Sequence, residues 1–330
     1  MIAGTDLTIE IGSRTLLDNG SFLVATGEKV GLVGRNGTGK STLLSVLLEQ
    51  ADPEVHHRGE LKSMGRVGFL PQVPVPLGLG TEALGLSHIL SARGLDRLDD
   101  ELSLARRALE EDANEANIET FTRIEEEYRN AGGYDAEAVI ARMADGIGLR
   151  QDLLLDDIDG LSGGQRRRVD IIRLLFQSPE IMILDEPTNH LDLSAKRWLM
   201  DELQSFPGTI LVISHDLDLL DKAITKVLHL SNKKLTEYKG NYSTFQQRLE
   251  GDIVQQEKRS AAEEKEIKRL SDLANSMRGQ TEKRAKTAKS LDRRAARIQE
   301  NRTEVTRREK VVHFKLPVPE RSGTTRSEER

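Results

Sequence analysis

The spacing of apolar and polar positions changes several times along the chain, and each change predicts a different element. Leu7 to Leu23 reads as short strands around a turn at Gly12-Ser13, and Lys29 to Val33 as a buried strand running into a Gly-rich loop. Leu43, Leu44, Val46, Leu47 and Leu48 predict a helix from about Lys40 with one face on a sheet. Arg66 to Leu70 predicts a strand ending at Pro71-Gln72, and the VPVPLGLG run after it reads as loop. From about Thr81 to Leu149 the pattern is helical and charged, broken at Gly132-Gly133, as in a helical insertion between two halves of a core. Ile181 to Leu184 and Thr209 to Ile213 are unbroken apolar runs of strand length, which fits parallel strands covered on both faces. The body is therefore α/β.

Beyond Phe245 aromatics thin out and Lys, Arg, Glu and Ala dominate. Ile267, Leu270, Ala274 and Met277 recur at helical spacing, as do Leu291, Ala295, Ile298 and Val305, with Arg302 interrupting the second stripe. Two narrow seams predict an antiparallel α-helical hairpin turning near Gly279, about 30 residues per helix and roughly 45 Å long. A disordered charged linker is the alternative. The resulting partition is a body over 1–245 with its insertion at about 81–149, a basic hairpin over 246–315, and a polar connector over 316–330 leading toward a further domain.

A chain of 330 residues accommodates one large core and one appendage. With no Cys it has neither disulfides nor thiolate metal sites, which points to a reducing, cytoplasmic setting. The seven His show no zinc spacing, and the adjacent His56 and His57 read as solvated loop residues. No apolar run approaches the roughly 18 residues of a membrane span, so no membrane partner is expected. Net charge is −6, but residues 278–310 hold twelve Lys and Arg against five Asp and Glu, a net +7 that leaves −13 on the other 297 residues. An acidic body with a basic arm points to a polyanion met by the arm.

Three motifs carry the chemistry. Gly34, Gly39, Lys40 and Ser41 fit GxxxxGK[ST] between a predicted strand and helix, a P-loop. In such a loop, backbone N–H groups wrap the β-phosphate, the helix N-terminus adds partial positive charge, the Lys reaches β and γ oxygens, and the Ser hydroxyl faces Mg²⁺. Asn36, Gly37 and Thr42 complete the cradle. In ILDEPTNHLD, Asp185 closes an apolar strand and Glu186 follows, so that one carboxylate is expected to hold metal and the other to prime the attacking water. His215 follows another apolar run and is placed to hydrogen-bond a γ-phosphate; Gln72 is placed to sense metal and water. LSGGQ, with Ser162, Gly163, Gly164 and Gln165, reads as a Ser-capped helix start with free N–H groups. The Arg166, Arg167 and Arg168 run after it reads as the solvated flank of that helix.

These motifs, in this order from Leu7 to about Lys239, resemble the ATP-binding cassette ATPases. The resemblance implies a P-loop ABC ATPase domain with a helical subdomain, ATP and Mg²⁺ as cofactors, and Ser41, Gln72 and Asp185 at the metal. It implies Glu186, His215 and Gln72 as catalytic groups. Ser162 to Gln165 would bind nucleotide held by a second cassette, in a longer chain or by dimerisation. Ile11 stands where the family often has an adenine-stacking aromatic. DEPTNHLD and KGNYSTF resemble the ABC-F branch, which implies action on the ribosome, as a translation factor or in antibiotic resistance, with the basic linker meeting rRNA and tRNA through a tip within Arg278 to Ser290. The alternative is the ATP-binding subunit of a membrane transporter.

Overall fold

The computed structural model describes residues 1–73, 84–277 and 282–300. They fall into two compact units, Met1–Gln247 and the segment from Arg248 onward. The first opens with β1 (Ile2–Ile11) and β2 (Arg14–Val24), then β3 (Lys29–Val33), α1 (Lys40–Leu47), β4 (Val55–Ser63) and β5 (Val67–Leu70). The helical insertion is α2 (Gly85–Leu90), α3 (Leu95–Glu111), α4 (Glu115–Asn130) and α5 (Gly133–Ile147). There follow α6 (Gly163–Gln177), β6 (Ile181–Asp185), α7 (Leu193–Ser205), β7 (Thr209–Ile213), α8 (Leu217–Lys222), β8 (Lys226–Ser231) and β9 (Lys234–Lys239).

Two sheets share the core. A six-stranded sheet runs in the order β5-β6-β7-β3-β8-β9, parallel except where β9 turns back on β8. A three-stranded antiparallel sheet, β2-β1-β4, lies apart from it in hydrogen bonding. Leu43, Leu44, Val46 and Leu47 of α1 pack between them with Ile9, Leu17, Val30, Leu32, Ile183 and Leu211. Every residue of β6 and β7 is buried, as continuous apolar strands in a parallel sheet require. The first two strands are longer than the short ones expected, and the Gly12-Ser13 turn stands where the sequence places it.

His56 and His57 are exposed, but on β4 rather than in a loop: they pair with Glu10 and Ile9 across the ladder. Ile11 also pairs in that ladder and packs on the core. In the insertion, α3 and α4 form a satellite cluster of Leu102, Ala105 and Ile124, flanked by Phe121 and Tyr128. Gly132, at φ +78°, separates α4 from α5.

The KGNYSTF segment has a packing logic. Gly240 turns the chain at φ +115°, and Asn241 Oδ1 accepts from the Thr244 amide at 3.1 Å. Asp221 takes both the Ser243 amide and its hydroxyl, at 2.7 and 2.6 Å. Phe245, buried, sits edge-on against His229 and Tyr238 with centroids 5.1 Å away in each case. That fixes the first turn of α9 (Tyr242–Met277).

In the second unit the rest of α9 and α10 (Glu282–Glu300) carry the two seams. Leu270, Ala274 and Ala295 are buried, and so is Ala288. Ile267, Leu291 and Ile298 are half-buried. Gly279, Arg302, Val305 and the 316–330 connector lie outside the described residues, as does the VPVPLGLG loop apart from Val73. No described helix is long and apolar enough to cross a membrane.

Candidate active site at the carboxyl edge of the sheet

Strand order creates the site. Because β5, β6, β7 and β3 are neighbours and parallel, their carboxyl ends lie along one edge, which is where open α/β sheets bind ligands. Pro71-Gln72 leaves β5, Asp185-Glu186 closes β6, Ser214-His215 leaves β7, and the Gly-rich loop leaves β3. A cavity of about 470 Å³ opens there, lined by Asn36, Gly37, Gly39, Lys40, Ser41, Thr42, Gln72, Asp185, Glu186, Asn189, Ile213 and His215. Gly34 lies outside that lining, but its carbonyl accepts from Lys40 Nζ at 2.8 Å.

Two glycines show why the loop takes this shape. Gly39 holds φ +101° as the N-cap of α1, and an added Cβ would lie 2.9 Å from the Leu16 side chain. A Cβ on Gly34 would stand 2.5 Å from the Leu230 carbonyl oxygen of β8, a backbone atom. Arg14 braces the loop from outside, its Nη2 donating to the Gly37 carbonyl at 2.9 Å.

Charge in the cavity is held under tension. Burial lowers the Lys40 ammonium, while Glu186 and Asp185 pull it back up. Burial raises Asp185, opposed by a hydrogen bond from the Ser41 hydroxyl and by Arg167 and Lys40. Burial likewise raises Glu186, opposed chiefly by the His215 backbone N–H. That amide donates to Glu186 Oε2 at 3.1 Å, whereas Oε1 is buried without a hydrogen-bond partner. His215 Nε2 stands 3.5 Å from Oε1, too far for a hydrogen bond of good geometry. Glu186 also sits at φ +48°, a left-handed conformation costly for a residue with a Cβ. An orphaned carboxylate oxygen facing this cavity can accept a hydrogen bond from a water.

The donor set suits Mg²⁺. The Ser41 hydroxyl and Asp185 carboxylate are in hydrogen-bond contact, and Gln72 lines the same cavity, so the groups are hard oxygens. Among the described residues no cluster of three or more His, Cys, Asp or Glu could hold a metal.

Ser162, Gly163, Gly164 and Gln165 do not line this cavity. Ser162 caps α6 in a reciprocal box: its Oγ accepts from the Gln165 amide at 3.4 Å, and its own amide donates to Gln165 Oε1 at 2.8 Å. A Cβ at Gly163 would meet nothing within 4 Å, so the helix start is open.

The arginines after LSGGQ are not a solvated flank. Arg167 is 1% exposed; its Nη2 donates to the carbonyls of Asp185 and Glu186, each at 2.9 Å, and its Nη1 to the carbonyl of Pro71. Arg166 pairs with Asp159 at 2.7 Å, with 13% of its side chain exposed. Arg168 reaches the Gly148 carbonyl and Asp192, at 2.6 Å each. Asp192 caps α7, and the Ala195 amide, the Ser194 hydroxyl and Arg168 hold its carboxyl down at about 2. Asn189 is a second residue the motifs did not single out. Its position inside the TNHLD segment was the available signal.

A family model described as "ABC transporter" matches residues 17–189, and a second with the same description matches residues 228–314. The ABC transporter F family member 3 of Arabidopsis thaliana is 32% identical over 270 residues, covering 77% of this chain and 36% of that protein. The energy-dependent translational throttle protein EttA of Mycobacterium tuberculosis is 31% identical over 319 residues, covering 94% of this chain and 54% of that one. Among solved structures, the ATP-binding subunit of an ABC transporter superposes with a TM-score of 0.54 at 20% identity, over 75% of this chain and 92% of the other, which is a likeness of fold. The chain belongs to the ATP-binding cassette family, in its F branch, and carries the family's ATPase domain. It spans between 36% and 54% of the length of these two curated relatives.

Proposed function

We propose that the protein binds ATP with Mg²⁺ between two cassettes, hydrolyses it to ADP and phosphate, and uses that cycle in the cytoplasm to act on the ribosome, its basic linker contacting rRNA and tRNA. The observation that carries the ribosomal part is the charge of α10. It has seven Lys and Arg against three Asp and Glu, with Lys286, Lys289, Arg293 and Arg294 exposed. A narrow helix of that charge suits phosphate backbones, which position a protein without reading sequence. The translational name of the EttA relative supports the same reading.

The chain's own residues have separable tasks. Lys40 and the loop amides neutralise and orient the phosphates. Ser41, Asp185 and Gln72 would hold Mg²⁺, which when bound neutralises charge on the phosphate oxygens. Glu186 orients and deprotonates the water through its unpartnered Oε1, and His215 holds the γ-phosphate side of the cavity. The signature start at Ser162 faces outside this cavity, which fits a role on nucleotide held by a second cassette. The basic hairpin is antiparallel in this reading, its tip within Arg278 to Ser290 meeting tRNA. Whether the outcome is translation control or ribosome protection against an antibiotic follows from that tip.

Glu186→Gln in the full-length protein keeps ATP bound, so with ATP the variant should co-sediment with ribosomes through a sucrose gradient while the wild type leaves them. If the variant stays at the top of the gradient with ATP present, the ribosomal reading is wrong.

A further inference from the structure

Arg167 spends a buried guanidinium on three backbone carbonyls drawn from two strand ends. Pro71 ends the turn out of β5 and precedes Gln72; Asp185 and Glu186 close β6. Asp185 is the last residue of β6 still paired with β7, and the Glu186 carbonyl also accepts from the Asn189 amide at 3.3 Å, so the fork adds a buried charged donor where β6 ends and where β5 has just ended. Arg167 itself belongs to α6, two residues beyond Gln165 of the capping box, and α6 begins at the open signature turn. One side chain therefore joins the helix that starts at LSGGQ to the backbone of both groups that face water and metal in the cavity.

We propose that Arg167 is a positioning residue for hydrolysis: it ties Gln72 and Glu186 to the signature helix, so that displacement of α6 by nucleotide in a second cassette moves the water-orienting groups of its own cavity. Three features fit a transmitting role better than simple filling of the core. The fork spans two strands that do not contribute to α6, so it reads their relative position. It holds the Glu186 carbonyl at a residue kept at φ +48°, whose amide is fixed from the other side by the Ile213 carbonyl at 2.8 Å. And the neighbours of Arg167 anchor the same helix at other points, Arg166 to Asp159 and Arg168 to Gly148 and Asp192, while Arg167 bonds the cavity backbone itself. A planar five-donor fork is required, since a lysine ammonium cannot span carbonyls on both strands with the same geometry.

The inference rests on the hydrolysis proposed above, and the test separates the two. Arg167→Lys and Arg167→Gln are made in the full-length protein, and ATPase kcat and KM, the affinity for a non-hydrolysable ATP analogue, and thermal unfolding are measured beside the wild type. Arg167→Lys keeps charge and most of the volume and serves as the folded comparison should the Gln variant unfold. Both Lys40 and the P-loop remain intact, so analogue affinity should stay within about twofold while kcat falls about 10- to 100-fold, the loss expected for misplaced catalytic groups. An inactive wild type overturns the hydrolysis reading and this one with it. An active wild type with Arg167→Lys at the same kcat, or with analogue affinity falling in proportion to kcat, overturns the positioning role alone.

Discussion

Glu186 combines burial, a left-handed backbone and one oxygen without a partner, all of which make it unfavourable to the fold. Its carboxyl is raised, mainly by burial. A group whose pKa is higher folded than unfolded contributes stability below the unfolded value and loses it as pH rises through the folded one. The ionised form is therefore the strained form, and it is also the form that a base requires. Glu186→Gln should raise the melting temperature of the nucleotide-free protein by about 2–4 °C at pH 8, the shift expected of roughly 1 kcal/mol, with the gain shrinking as pH falls toward the ordinary Glu range. Scanning fluorimetry across that range measures it, and an unchanged or lower melting point at pH 8 would falsify the strain argument. Hydrolysis in the wild type should weaken over the same acidic limb. Lys40→Ala should lower ATP affinity about 10- to 100-fold by removing a charged donor, measured by isothermal titration. Which residues stand at strand ends was legible in the sequence, because apolar runs stop at Asp185, at Ser214-His215 and at the loop. Arg167 was not, because a run of three arginines has the composition of a solvated face, and only the carbonyls gathered from Pro71, Asp185 and Glu186 explain its burial.

At the scale of elements, the structure divides legible from illegible by how much each strand buries. β6 and β7 are wholly buried and therefore continuous in hydrophobicity. β4 is exposed apart from half-buried Val55 and Leu61, so its sequence shows neither alternation nor an apolar run, and His56 and His57 disguised it. β9 is illegible for a related reason: it has no fully buried residue. The first turn of α9 is held by the Phe245 cluster and by Asp221. Phe245→Ala should destabilise the first unit by about 3–5 kcal/mol, the usual cost of emptying a buried aromatic site. Urea unfolding should show the midpoint falling, and a midpoint unmoved would mean that the aromatic cluster does not anchor the segment.

At the scale of the whole molecule, charge is distributed by unit: an acidic body and a basic arm. Replacing Lys286, Lys289, Arg293 and Arg294 by Gln should weaken ribosome binding of the full-length protein and make log affinity less steep against log salt by about 3, near 0.7 to 0.9 for each phosphate no longer neutralised. Pelleting assays from low to moderate potassium chloride test this; an unchanged slope would mean that other residues meet the phosphates. Segregation of charge was visible from composition alone. The order β5-β6-β7-β3 was not, since it arises from long crossovers whose pairing leaves no local mark on the chain, yet it is what sets the four strand ends side by side.

The first glycine of the phosphate loop carries a further consequence. Any side chain at position 34 would collide with the main-chain oxygen of Leu230 on a neighbouring strand, a contact that involves no nucleotide. A library selected for folding alone, with no demand for turnover, should recover glycine there. Part of a motif usually taken as a mark of chemistry is thus upheld by architecture, and a descendant that had lost every trace of activity would still display it.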